Sequence, residues 1–154
     1  MTERSVVHAT FVIKRVFDAV PSRVFAAWAD PKAKAKWFGA PDEGTDFHSM
    51  DFKLGGKEIS RGRGPDGKRY SFDATYLDIV ENQRIVYAYD MHLDDERISV
   101  SLSTVEIVAA GKGTRLTYTE QGAYLDGLDS PDQREHGTAM LLDTLGKSLE
   151  KATA

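Results

Sequence analysis

The sequence predicts one α+β domain, in which antiparallel strands gather into a sheet and the helices stand apart from it. Three observations carry this reading. Through the middle of the chain, apolar and polar residues alternate in runs separated by glycine, proline and aspartate turn signals. Two short helical segments interrupt the chain near its start. A capped, leucine-rich segment at helical spacing ends it.

The first strand runs from about Val7 to Phe17, with Phe11, Ile13 and Phe17 on one face and Val12 and Val16 on the other. Pro21 suits a first helical turn, and Val24 and Trp28 share a face four residues apart. Asp30-Pro31 breaks this helix and starts another, Lys32 to about Phe38, which Gly39 and Pro41 end. A strand over residues 46–54 precedes the turn signal Gly55-Gly56. Lys57 to Arg63 forms the next strand, and Gly64-Pro65-Asp66-Gly67 turns the chain.

From Arg69 to Val80, Tyr70, Phe72, Ala74 and Tyr76 fall on one face, and Leu77 and Ile79 on the other. Glu81-Asn82-Gln83 makes a turn. Ile85, Tyr87, Tyr89 and Met91 follow as a second aromatic stripe, closed by Asp94-Asp95. Between Arg97 and Val108 the phase changes, from Ile98, Val100 and Leu102 to Val105 and Ile107. A β-bulge near Ser103-Thr104 accounts for that. After Gly111-Lys112-Gly113, Leu116 and Tyr118 point inward. In the last helix Ser130-Pro131-Asp132-Gln133 supplies the cap, and Leu141, Leu142, Leu145, Leu149 and Ala152 continue at helical spacing. Gly137 and Gly146 lie inside it, at a cost of about 1 kcal/mol each relative to alanine.

The 154 residues suffice for one substantial core. A net charge of −4 argues against nucleic acid, whose phosphates call for a basic face. With no cysteine there are no disulfides, thiolate nucleophiles or cysteine metal sites, which suits a reducing cytoplasm. No apolar run approaches a membrane span, and Met1 to Val7 has no apolar signal core. The expected location is cytoplasmic.

Several segments resemble a known family. They are Val24-Phe25-Ala26-Ala27-Trp28-Ala29-Asp30-Pro31, Lys36-Trp37-Phe38-Gly39 and Leu54-Gly55-Gly56. With them go Tyr76-Leu77-Asp78-Ile79-Val80, Arg84-Ile85-Val86-Tyr87, Gly113-Thr114-Arg115-Leu116-Thr117 and the final helix. In this order they resemble the activator of heat-shock protein 90 ATPase homologue family, within the START and polyketide-cyclase-like superfamily. The resemblance implies the helix-grip fold: a seven-strand antiparallel sheet wrapped around the C-terminal helix, two short helices closing one end, and a cavity between. There are two departures. Gly137-Thr138 stands where the family often has tryptophan after the glycine, and Trp37-Phe38 replaces a tandem tryptophan. Both bear on cavity shape.

Candidate ligand-binding residues follow from the aromatic stripes: Tyr70, Phe72, Tyr76, Tyr87, Tyr89 and Tyr118, facing Met140, Leu141 and Leu145 of the helix, with Trp37 and Phe38 at the mouth. Any one of these is more commonly core. As a set they carry many tyrosines, whereas a dry core favours phenylalanine and leucine, because each buried hydroxyl needs a partner. For Trp28, helix-to-sheet packing is the commoner role.

The histidines His8, His48, His92 and His136 lack metal spacing, and no metal or cofactor is expected. Lys53, Lys57, Arg61, Arg63, Lys68 and Arg69 read as solvated strand faces and tips, and Lys32, Lys34 and Lys36 of the second short helix read as solvated too. Asp126, Asp129, Asp132 and Glu135 favour the start of the last helix.

The leading expectation is a non-enzymatic binder of a small apolar molecule, such as a lipid, polyketide or aromatic metabolite. A co-chaperone-like domain that contacts a chaperone is the alternative. A cyclase, lyase or hydrolase using His136, Tyr76 or an aspartate ranks third. The chain is expected to be a monomer or homodimer.

Overall fold

The computed structural model describes residues 3–38, 45–64 and 66–151. Gly39, Pro41, Pro65 and Ala152, to which the sequence reading gives roles, lie outside the described residues. In chain order the elements are β1 (Val6–Phe17), α1 (Pro21–Ala29), α2 (Pro31–Lys34), β2 (Thr45–Met50), β3 (Lys57–Arg63) and β4 (Arg69–Val80). They continue with β5 (Arg84–Leu93), β6 (Glu96–Ala110), β7 (Gly113–Leu125) and α3 (Pro131–Lys151). The seven strands pair antiparallel in the order β1-β7-β6-β5-β4-β3-β2. This is the seven-strand sheet with a long C-terminal helix and short helices after the first strand that the resemblance implies.

Alternation puts Phe11, Ile13 and Phe17 of β1 into the core and leaves Val12 and Val16 exposed. Asn82 and Asp94 turn the chain between β4 and β5 and between β5 and β6, with φ of 63° and 52°. Short polar side chains tolerate that left-handed conformation. Two bulges alter the predicted faces. Tyr76 opposes Tyr87 and Asp78 opposes Val86, so Leu77 is the extra residue. The slip leaves Leu77 exposed and turns Ile79 towards the core beside Ile85. The two therefore do not share a face as predicted.

In the second case Met91 opposes Ser99 and His92 opposes Arg97, so the extra residue is Ile98. Pairing through Ser103 and Thr104 is unbroken, and the predicted bulge there is absent. Upstream of Val105, the inward face of β6 therefore carries Ser99, Ser101 and Ser103.

Two predicted elements are shorter than expected. Regular helix stops at Lys34, although the backbone N–H of Phe38 still donates to the Lys34 carbonyl at 2.8 Å. β2 ends at Met50, because the chain folds back tightly: a Cβ on Gly56 would lie 1.9 Å from the Asp51 carbonyl oxygen.

Helix α1 buries Val24, Phe25, Ala27 and Trp28. The Asp30 carboxylate caps α2 by accepting from Lys32 N at 3.1 Å. The Trp37 indole donates to the Ala27 carbonyl at 3.0 Å and pins the following segment to α1. Helix α3 starts as predicted, with Gln133 N–H donating to Ser130 Oγ at 3.2 Å. It lays Leu142, Leu145 and Leu149 into the core. No helix among the described residues is long and apolar enough to cross a membrane.

The two helix glycines differ in kind. A Cβ at Gly137 would meet nothing within 4 Å, whereas one at Gly146 would lie 3.1 Å from Phe17 Cε1. Gly137→Ala is therefore expected to stabilise the protein by about 1 kcal/mol, and Gly146→Ala to gain less or to lose stability. Urea unfolding of both variants checks this. Equal gains would contradict a close helix–sheet approach at Gly146.

Candidate functional site

Between the inner face of the sheet and α3 lies a cavity of about 330 Å³. Trp28, Trp37 and Phe38 wall it from the short helical segments, and Gly137, Thr138, Leu141 and Leu142 from α3. Its floor is aromatic. Phe72 and Tyr89 stand 4.7 Å apart by ring centroids, and Phe38 meets Phe72 at 5.0 Å, edge to face. Of the residues proposed from sequence, Trp37, Phe38, Tyr70, Phe72, Tyr87, Tyr89, Tyr118 and Leu141 line this space.

Tyr76 and Met140 do not. Tyr76 is buried behind the wall and donates to Glu58. Met140 is 58% exposed. It lies two residues from Leu142, and two residues are about 200° around a helix, so burying Leu142 sends Met140 outward. Trp28 both packs against the core and lines the cavity.

Sequence reasoning passes over the polar groups that hold this wall. Glu120 of β7 has no exposure. It accepts from the Tyr118 hydroxyl at 2.6 Å and the Tyr89 hydroxyl at 2.8 Å, and pairs with Arg134 Nη1 at 3.4 Å. Arg134 also donates to Tyr89 Oη at 2.9 Å, Ser99 Oγ at 2.6 Å and Asp129 Oδ2 at 2.7 Å. Ser103 joins Tyr118 at 2.8 Å.

Burial pushes the Tyr89 and Tyr118 hydroxyls well above the ordinary range, and Glu120 adds to it. Burial works against the charge of Arg134, but the surrounding Tyr89, Glu120 and Asp129 more than restore it. The tyrosines therefore stay neutral and present rings to the cavity, while their hydroxyls serve the carboxylate.

A second network corrects the reading of Lys34 as solvated. Its side chain is 1% exposed, and Nζ lies 2.6 Å from Glu58 Oε1. The ammonium also sits 4.6 Å from the Phe38 ring centre and 5.5 Å from that of Trp28. Lys32 and Lys36 are exposed as expected. Glu58 further accepts from the Tyr76 hydroxyl at 2.5 Å and meets His48 Nε2 at 2.9 Å. Burial alone would raise the Glu58 carboxyl. Lys34 and the bonds from His48 and Tyr76 outweigh it and hold the group at about 2. Alternation gives one signal for these groups: Glu58 is in phase with Ser60, and Glu120 with Leu116 and Tyr118.

His136 is exposed on α3, so neither it nor Tyr76, the two named candidates for acid–base work, lines the cavity. Asp73, Asp90 and His92 gather on the opposite face of the sheet, within 4.8 Å of one another. Arg61 pairs with Asp73 at 3.7 Å and Arg97 with Asp90 at 3.2 Å, which already balances those carboxylates. The basic residues of 53–69 are exposed as expected, and Arg63 reaches the cavity rim.

Residues 18–152 match the family described as Activator of Hsp90 ATPase homolog 1-like protein. The chain belongs to that family. An uncharacterized protein from Rhizobium leguminosarum is 43% identical, with a TM-score of 0.93 over 97% of this chain and 99% of its own. Mll3558 from Rhizobium loti is 45% identical, with a TM-score of 0.87 over 94% and 99%. CV1439 from Chromobacterium violaceum, at 26% identity, gives 0.75 over 90% and 94%. No curated protein matches the chain.

For this family member the buried Glu58 makes an acid-stability prediction. Its folded value of about 2 lies below the ordinary 4.5. Its contribution, on the order of 3 kcal/mol, is therefore complete above about pH 4.5 and lost as pH falls through 2. Glu58→Gln leaves Lys34 buried without its counter-charge, and is expected to cost about 3–5 kcal/mol and to flatten stability across that pH window. Urea unfolding between pH 2 and 7 measures both, and an unchanged pH profile would refute the assignment.

Proposed function

We propose that this protein holds one small hydrophobic or amphipathic molecule in the cavity between its sheet and its C-terminal helix. The observation that carries the reading is the wall itself. It is built mainly of aromatic rings, and the Tyr89 and Tyr118 hydroxyls are committed to the buried Glu120, so these two present apolar rings to an occupant. A dry cavity of about 150 Å³ takes benzene. A space of about 330 Å³ suits a molecule of roughly a dozen heavy atoms by the same measure. Binding without turnover fits best, because the titratable groups at the wall are engaged with one another. A chaperone partner is the alternative, and the family name alone speaks for it.

Native mass spectrometry of the purified protein, set against its denatured mass, tests the proposal. Bound mass that disappears on denaturation is expected. Thr138→Trp should abolish it, since Thr138 lines the cavity and is 8% exposed. A folded Thr138→Trp protein that keeps the same bound mass would place the ligand elsewhere.

A further inference from the structure

If the cavity is the binding site, its wall also determines which way round an occupant lies. Among the described residues, the buried part of that wall has its polar side-chain atoms committed elsewhere. Tyr89 and Tyr118 donate to Glu120, and the Tyr87 hydroxyl bonds with Tyr118 and Ser103. Thr138 Oγ1 donates to the Arg134 carbonyl at 2.8 Å, and the Trp37 indole to that of Ala27. The Arg134 guanidinium is held by Glu120, Asp129, Tyr89 and Ser99. Ser60 Oγ and Trp28 Nε1 are closed to anything the size of a water molecule, and so meet no occupant. A hydroxyl or a charge carried to the inner end would lose its water and find little to replace it.

The outer end is different. Of the residues that line the cavity, Arg63, Gln133 and Gly137 are exposed. Arg63 ends β3, and Gln133 and Gly137 lie about a turn apart near the start of α3, so these two elements frame the mouth. The space beside Gly137 is clear, since a Cβ there would meet nothing within 4 Å. We infer that the cavity takes a single-chain amphiphile tail first. The apolar chain fills the space against Phe72, Tyr89 and Leu142, and the polar head stays hydrated in the mouth beside Gln133 and Gly137. Such a head can be larger than the cavity would admit, because it does not enter. Gly137 leaves room for it, which gives a use to a glycine that costs the helix about 1 kcal/mol relative to alanine.

Isothermal titration calorimetry with three probes of one chain length tests this: 1-octanol, 1,8-octanediol, and octyl glucoside below its micelle concentration. Octanol and octyl glucoside are expected to bind within a few-fold of each other, because the bulky sugar remains outside. The diol, which must carry a second hydroxyl inward, should bind about tenfold more weakly than octanol. Gly137→Trp fills the mouth from an exposed position, and should weaken octyl glucoside several-fold while changing octanol little. A diol that binds as tightly as octanol, octanol binding without octyl glucoside, or a Gly137→Trp protein that binds the glucoside unchanged overturns the inference and leaves the cavity reading standing. Saturable binding of none of the three overturns both.

Discussion

A carboxylate with no access to water has to be paired where it stands, and Glu120 is such a group in the middle of β7. An ion left alone in the interior costs several kcal/mol, so its partners are structural requirements. Arg134 comes from the first turns of α3, and its bonds to Glu120, Ser99 and Asp129 fix where the helix begins above the sheet. Asp129 in turn accepts from Ser130 N, and the Ser130 hydroxyl caps the helix. Charge pairing, chain entry and helix start are one arrangement. Ser99 and Ser101 belong to it as well, since both accept from Arg134, and Ser103 joins through Tyr118 and Glu120.

Lys34 and Glu58 do the corresponding work at the other end. The lysine comes from α2 and the glutamate from β3, so the pair ties the short helices to the sheet. Phe38, Trp28, Trp37 and Tyr87 stand around the ammonium at 4.6 to 6.0 Å, with these same rings forming part of the cavity wall. The cavity is thus bounded by two buried ion pairs, and aromatic side chains fill the interval between them.

The antiparallel sheet, with the seven strands implied by the resemblance, and most of the aromatic wall were legible in the sequence, because alternation at Phe72, Tyr87, Tyr89 and Tyr118 is a local signal. The errors come from features with no local signal. A bulge shifts every later residue by one, and nothing in Tyr76-Leu77-Asp78 marks Leu77 as the extra residue. In β6, unbroken alternation back from Val105 turns Ser103, Ser101 and Ser99 inward, against the usual preference for apolar residues. Lys34 was misread for a related reason. Burial of a lysine depends on a glutamate 24 residues away, and the surrounding alternation of lysine with alanine looks like a solvated face. Met140 was misassigned because a leucine-rich helix has apolar side chains on more than one face.

The tyrosines explain why the cavity stays open. A void lined by phenylalanine would invite the rings to swing inward, since an empty apolar space of this size forfeits several kcal/mol of packing. Here the Tyr89 and Tyr118 hydroxyls are fastened to Glu120. To close the space, a ring would have to strip a buried carboxylate of a charge-assisted hydrogen bond, worth about 1.5–3 kcal/mol. Collapse and ionic pairing therefore oppose each other, and the pairing holds. The unfilled packing energy would then be available to the proposed occupant. In this way Glu120, which does not itself line the cavity, helps to set its shape.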